Sequence, residues 1–244
     1  MINVIKISML ILLFVVNISC KKKSKCFHST GKYTTETRIL SFFDKVKINS
    51  LFDVYWHNDS SYKVKIEGGD KLIPFVETRV SNKYLIITNE NRCNWLRKYE
   101  RIKVHIYSPS LSDFIIVGSG NYYLIDTLVS DSFKIENWSD ISKVYANVKC
   151  RWFAYTQHAG TGDTYIGGSS TISYLWISGM GYLHAKNLVS IYNYITNKST
   201  GNCYVYAKKE AGAYIYKSGN IYLYGNPDTV FKKIYGIGKL YLIN

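Results

Sequence analysis

The 244-residue chain has only 3 prolines and 3 methionines, and its 17 acidic residues are outnumbered by 31 lysines and arginines. Scarce methionine and alanine beside 23 tyrosines disfavour a helical protein, because aromatic and β-branched residues prefer strands. Hydrophobic residues make up 47% of the chain, which excludes wholesale disorder. The net charge of +14 indicates an anionic partner or surface, but it carries no information about the fold.

Groups that could carry out catalysis are also sparse. Residues 151–244 contain three carboxylates, Asp163, Glu210 and Asp228, and a glycosidase generally needs two that face one bond. The five histidines lack metal-ligand spacing, and no nucleophile-elbow, phosphate-loop or dinucleotide motif occurs. We therefore predict no catalytic residue, no metal and no cofactor. A carbohydrate-active enzyme, either a polysaccharide lyase or a hydrolase, is kept as the alternative.

The first twenty residues have the pattern of an export signal. Lys6 precedes an apolar run at 9–16, which is shorter than the roughly 20 residues that a membrane-spanning helix needs. The segment resembles a bacterial lipoprotein signal, so we expect 1–19 to be removed and Cys20 to carry the lipid. Residues 20–37 would form a flexible, lysine-rich tether at the membrane. The alternative is an ordinary secretory signal with a chance cysteine.

Four cysteines follow the signal: Cys26, Cys93, Cys150 and Cys203. An exported location permits disulfides, and four cysteines allow three pairings. Their irregular spacing matches no CxxC-type metal motif, and unpaired thiols are equally compatible with it. The sequence leaves the pairing open.

A Gly-x-Gly-Asn/Asp phrase recurs from residue 118 onward. The last glycine of each copy, or its counterpart, stands at positions 120, 139, 162, 181, 201, 219 and 238, with 137–140 as a degenerate copy. The polar residue after this anchor tolerates a tight turn and bonds nearby backbone. This turn column consists of Asn121, Asp140, Asp163, Asn202 and Asn220.

Apolar residues alternate on both sides of each turn, which predicts two half-buried strands per copy. Such units bury a core only by stacking, so we predict an all-β fold, a parallel β-helix or β-solenoid with rungs of about 19–20 residues. A hairpin meander gives no reason for one residue phase through seven copies, and the leucine-rich-repeat framework is absent. One domain would span 38–244, with irregular strands at 38–107 and the repeats at 108–244.

With these motifs the chain resembles a family of bacterial envelope proteins, the putative auto-transporter adhesin, head GIN domain family. The resemblance covers about 40–244 and rests on FDKVKI at 43–48, SPSL at 108–111 and the glycine copies up to YGNP at 224–227. It implies a β-helical fold and a lipoprotein signal, and it supplies no catalytic residues.

One column of the repeats should face solvent, three positions after the anchor. It holds Tyr123, Tyr165, Tyr204, Tyr222 and Tyr241, with Ser142 and His184 in the other two rungs. Such a ladder of amphipathic rings suits stacking on sugar rings or contact with a protein partner. The alternative is that stacked tyrosines only stabilise neighbouring rungs.

The densest basic patch lies before the repeats. It consists of Arg92, Trp95, Arg97, Lys98 and Arg101. This patch could bind an acidic glycan, lipid headgroups or phosphate backbones, or it could be a solvated loop without a partner. An exported protein on a lipid anchor rarely meets nucleic acid, so we expect no nucleic-acid partner.

These features together predict an exported, lipid-anchored β-solenoid of the bacterial cell envelope, an outer-membrane lipoprotein. Its predicted role is that of a binding, adhesion or scaffold module with a polysaccharide or envelope protein as partner. A passive structural protein without a ligand is the second alternative. The sequence does not disclose the ligand or the side of the membrane.

Overall fold

The computed structural model describes residues 29–91 and 100–243. Within these ranges it is almost entirely β, with one short 3-10 turn at Ile73–Phe75 and no helix able to cross a membrane. The strands are β1 (Tyr33–Ile39), β2 (Lys45–Ile48), β3 (Phe52–Asn58), β4 (Lys63–Gly69), β5 (Val76–Ser81), β6 (Tyr84–Asn89), β7 (Lys103–Ser108), β8 (Asp113–Ile116), β9 (Gly120–Leu124), β10 (Leu128–Asn137), β11 (Ser142–Gln157), β12 (Thr164–Gly179), β13 (Leu183–Ser199), β14 (Cys203–Tyr206), β15 (Glu210–Ile215), β16 (Ile221–Tyr224), β17 (Thr229–Ile234) and β18 (Leu240–Ile243).

The strands coil into a parallel β-solenoid, as the repeats predict. Sheet I stacks, in order, β7, β3, β9, the first parts of β11, β12 and β13, then β14, β16 and β18. Sheet II stacks β6, β2, β8, the last parts of β10 to β13, then β15 and β17. The middle parts of β11 to β13 pair with one another, and with the start of β10, in a third parallel set between the two sheets, so each of these three long strands runs through all three sets.

The first half of the chain closes one end of the solenoid. The rung formed by β6 and β7 stacks beneath that of β2 and β3, so the chain crosses back before β8 joins β2. Beyond this rung, β4 pairs antiparallel with β7, β1 with β4, and β5 with β6. The structure has seven strands, β1 to β7, in the region where the sequence predicts irregular strands. Antiparallel strands at this end cover the edges of the parallel sheets.

Buried side chains inside the coil form columns that continue from rung to rung. One column runs from Tyr122 through Val144, Thr164 and Leu183 to Cys203. Its members are buried, so Cys203 packs as a small apolar residue. Burying these residues removes apolar surface from water, and this is the main force that holds the rungs together.

The structure shows that the repeat copy predicted at 137–140 lies three residues further along the chain. Ser142, not Ser139, lies opposite Gly120, and Lys143 takes the place of Asp140 opposite Asn121. The inward side chains Val144 and Ala146 fix the phase of this rung, since a shift by an odd number of residues would turn them to solvent. The residues at 137–141 instead form a longer corner.

The expected flexible tether is also too long. Its residues 33–37 belong to β1, which pairs antiparallel with β4 from Tyr33 opposite Gly69 to Ile39 opposite Lys63. Both faces of β1 are largely exposed, so it lacks the apolar alternation by which strands are recognised. Cys20 and the signal lie outside the described residues.

Candidate functional site

Nine aromatic rings stack along the outside of sheet I. Adjacent ring centroids are 4.5–5.2 Å apart and the ring planes meet at 4–15°. Parallel strands lie about 4.8 Å apart, so one ring fills one rung spacing. In axial order the ladder consists of His105, Tyr55, Tyr123, Tyr145, Tyr165, His184, Tyr204, Tyr222 and Tyr241.

The five tyrosines and His184, all predicted for this column, lie in the stack, and three further rings join it. Tyr145 stands where the misaligned repeat had put Ser142, while Tyr55 and His105 come from strands without the glycine phrase. Val144 and Val148 of β11 face inward, so Tyr145 between them faces outward. Aligning the repeat on these valines would have identified Tyr145 as a member of the ladder. Nothing in the sequence repeat indicates that β3 and β7 extend the column.

Stacking has a direct consequence for recognition. Because each ring lies face to face with the next, the flat surfaces are covered inside the ladder, and solvent meets ring edges and hydroxyl groups. Tyr165 is 36% exposed and Tyr241, at the end of the stack, 39%. A sugar ring therefore cannot stack broadly on this ladder, and of the two interpretations of the column the geometry favours stabilisation of neighbouring rungs. Pairs of this kind stabilise neighbouring strands by about 0.5–1.5 kcal/mol beyond area burial.

Polar side chains in the turn column connect successive rungs. The Asp163 carboxylate accepts from the Tyr182 backbone N–H at 3.1 Å, and the Asn220 side-chain oxygen accepts from the Lys239 N–H at 2.9 Å. Asn202 accepts from the Asn220 N–H at 2.9 Å in the same way. These residues bond backbone one rung away and not only within their own turn, so they act as links along the axis.

A shallow groove of about 320 Å³ lies beside the middle of the ladder. Asn147, Gly167 and Asn187 are successive members of one outward column, and because Gly167 has no side chain the exposed Asn147 carboxamide leans over it toward Asn187. Tyr145, Tyr165, His184 and Lys186 complete the polar rim. Burial lowers the pKa of His184, which keeps its ring neutral near pH 7. The rim thus offers amide, phenol, imidazole and ammonium groups within one small area.

Most of the remaining predicted site residues fall outside the described residues. Of the basic patch, Arg92, Trp95, Arg97 and Lys98 lie outside the described residues, and Arg101 places Nη1 3.3 Å from the Asp53 carboxylate. Among the cysteines, Cys26 and Cys93 lie outside as well.

The other two cysteines, Cys150 and Cys203, are buried free thiols. Burial raises the pKa of Cys150 to about 11 and raises that of Cys203 as well. Neither is therefore a reactive thiolate near neutral pH.

The carboxylates and histidines of the repeats have structural contacts. Glu210 accepts a hydrogen bond from the Tyr194 hydroxyl at 2.7 Å, which raises the pKa of Tyr194 to about 12. Gln157 lies in the inward column opposite Ile177, and the next residue, His158, stacks on Trp138. In the described part of the chain, no three His, Cys, Asp or Glu side chains are grouped to hold a metal.

The fold and its polar, ring-lined exterior define a β-solenoid whose side surfaces are available for binding. The family model for the putative auto-transporter adhesin, head GIN domain, matches residues 42–227, and the chain belongs to this family. No curated protein matches the chain in sequence.

Solved structures show the same fold. A putative adhesin from Bacteroides fragilis NCTC 9343 has a TM-score of 0.82 at 21% identity, covering 87% of this chain and 97% of that one. A putative lipid binding protein from Parabacteroides distasonis ATCC 8503 has a TM-score of 0.66 at 18% identity over 88% and 98%. A putative adhesin from Parabacteroides merdae ATCC 43184 has a TM-score of 0.62 at 19% identity over 88% and 97%.

Proposed function

We propose that this protein is an adhesion or binding module of the bacterial cell envelope, that a lipid on Cys20 anchors it to the outer membrane, and that it binds a polysaccharide through the groove beside the tyrosine ladder. The observation that carries the proposal is the groove of about 320 Å³ that is lined by the exposed carboxamides of Asn147 and Asn187 beside the ladder. Carboxamides both donate and accept, which suits the hydroxyl groups of a sugar.

The ladder supports this groove in two ways. Its eight ring contacts hold successive rungs in register, so the rim groups are presented on a rigid surface. Its exposed hydroxyl edges extend the polar surface along the axis, so a linear polymer could contact several rungs. The family's adhesin name agrees with a binding role.

A glycan array with the purified protein tests the proposal. We expect binding to at least one polysaccharide, and the double variant Asn147→Ala/Asn187→Ala should lose it while its unfolding temperature stays within a few degrees, since both side chains are exposed. Tyr204→Ser/Tyr222→Ser reports whether the ladder away from the groove contributes. Absence of binding to any glycan by the folded protein would favour the passive structural alternative.

The anchor requires a separate test, because Cys20 lies outside the described residues. Metabolic labelling with a radioactive fatty acid in a bacterial host should label the wild-type chain and leave Cys20→Ser unlabelled. Equal labelling of both proteins would refute lipidation at Cys20, and no label in either, with secretion intact, would favour an ordinary secretory signal.

A further inference from the structure

Sheet II carries an aromatic groove of a different kind, about 370 Å³ in volume. Four rings form its walls, and small residues form its floor between them. The lining side chains are Ala154, Thr156, Tyr174, Trp176, Tyr194, Thr196 and Tyr214. The groove shares no residue with the tyrosine ladder or with the groove over Gly167.

One column through this groove alternates rings with threonines. Thr156, Trp176, Thr196 and Tyr214 are partners in successive rungs. Trp176 and Tyr214 are therefore two rungs apart, about 9.6 Å at the usual strand spacing. In the ladder, the equivalent stretch from Tyr145 to His184 is filled by a third ring. At Thr196 that middle ring is missing, so the column has a gap about one six-membered ring thick.

In the described part of the chain no stacked ring covers the faces on either side of this gap, and the Lys198 ammonium lies over the ring of Trp176. Among the described residues no ring lies parallel to Trp176 or Tyr214; the nearest ring to Trp176, that of His158, is tilted by 51°. Thr196 lines the groove in the rung between them, and its hydroxyl can donate and accept. Two aromatic faces with a hydroxyl between them suit a ligand ring that has apolar faces and a polar edge, as a pyranose has.

The positive charge beside the gap favours a sugar that carries an acidic group. The Lys198 ammonium lies 5.8 Å from the centroid of Trp176 and 4.6 Å from that of Tyr216, in the rung of the gap. It has no carboxylate partner among the described residues, and Lys233 follows Tyr214 in the same column. On the other side, Glu210 is held by the Tyr194 hydroxyl. An anionic group on the ligand would therefore point to Lys198.

We propose that this groove binds a uronic acid unit of an acidic polysaccharide, with the sugar ring between Trp176 and Tyr214, a hydroxyl on Thr196 and the carboxylate on Lys198. The inference rests on the proposed binding function and adds a second site with its own ligand class. A polymer along the solenoid axis would reach Lys233 with its next carboxylate.

Calorimetric titration of the purified full-length protein tests this site, with trigalacturonic acid as the probe and its methyl ester as the uncharged control. Wild type should bind the acid more tightly than the ester. Thr196→Phe, which supplies the missing middle ring, should weaken binding of the acid at least about tenfold, because the substituted side chain fills the gap. Its unfolding temperature should be unchanged or higher, since it completes an aromatic column.

Two further variants separate the possible outcomes. Lys198→Gln should weaken binding of the acid about three- to tenfold and leave the ester unaffected. Asn147→Ala/Asn187→Ala should keep wild-type affinity for trigalacturonic acid, because its groove is elsewhere. Equal affinity for acid and ester, or unchanged binding by folded Thr196→Phe, overturns this inference. Failure of the wild type to bind trigalacturonic acid also overturns it, and leaves the proposed function standing if another glycan binds through Asn147 and Asn187.

Discussion

A column of stacked glycines allows neighbouring rungs to approach closely, because a side chain at these positions would collide with backbone. The substitution Gly201→Ala tests this requirement. A methyl group on Gly201 would lie 2.1 Å from the Gly181 carbonyl oxygen and 2.7 Å from its carbon. Both contacts are to backbone, so relief requires the rungs to separate until the methyl clears at least 3.0 Å. The same contact recurs one rung on, where Gly219 faces the carbonyl of Gly201. The rung of Gly201 therefore lies between two close backbone neighbours and cannot move away from Gly181 without approaching Gly219.

The cost of this substitution follows from two effects. Overpacking against fixed backbone costs about 1–3 kcal/mol. Moving Gly201 also strains the bond from its N–H to the Ser199 hydroxyl, 3.0 Å, and that from the Asn197 carboxamide to its carbonyl, 3.1 Å, each worth about 1 kcal/mol. We expect a loss of about 3 kcal/mol in the free energy of unfolding. For a protein of this size that corresponds to a decrease in the unfolding temperature of about 6–12 °C.

Thermal unfolding followed by circular dichroism measures this, with Gly167→Ala as the matched control. At Gly167 an added methyl meets the Asn147 side-chain oxygen at 2.5 Å and nothing else within 3.7 Å. Because that side chain is exposed and can rotate away, this variant should lie within about 1 kcal/mol of wild type. Equal stability of the two variants would refute the argument that backbone contact between rungs makes this column glycine.

Three further predictions concern buried groups. Tyr155→Phe should destabilise the fold by about 1–3 kcal/mol in urea titrations, because three buried side chains lose the hydroxyl they bond. Burial lowers the pKa of His57 and His105, so the neutral form is favoured in the fold. Stability should therefore fall as pH decreases from about 6.5 to 5, and less steeply in His57→Gln/His105→Gln. Cys150 and Cys203 should resist iodoacetamide at pH 8, as judged by mass spectrometry, until urea unfolds the chain.

The repeat made the solenoid predictable because its period is a property of the fold itself. Six of the seven anchors, from Gly120 to Gly238, match the stacked rungs, and at each of these six glycines a backbone carbonyl of the neighbouring rung approaches closely. The anchor predicted at 139 is wrong, because Ser142 stands where the other copies have glycine. The nearby Asn-Trp-Ser-Asp at 137–140 resembles the repeat and was aligned in its place. The alternation of inward-facing apolar residues does not change when a turn residue is substituted, so this alternation locates the rung correctly.

The capping strands could not be predicted in the same way. β4 and β5 are visible as alternating segments, but whether they run parallel or antiparallel depends on contacts far apart in the chain, such as Lys63 opposite Tyr107. β1 is exposed on both faces and has no apolar signal at all. The crossover that places the β6–β7 rung below β2–β3 likewise leaves no mark in the local pattern.

Aromatic columns on a solenoid differ in what their faces can do, and the difference is readable from sequence once the rungs are aligned. Where rings follow in every rung, as from Tyr204 to Tyr241, each face is covered by its neighbour and the column contributes stability. Where a small residue interrupts the column, as Thr196 does, two faces are left one ring apart. Abundant tyrosine therefore indicates cohesion between rungs, and recognition of a ring-shaped ligand is to be sought at the interruptions.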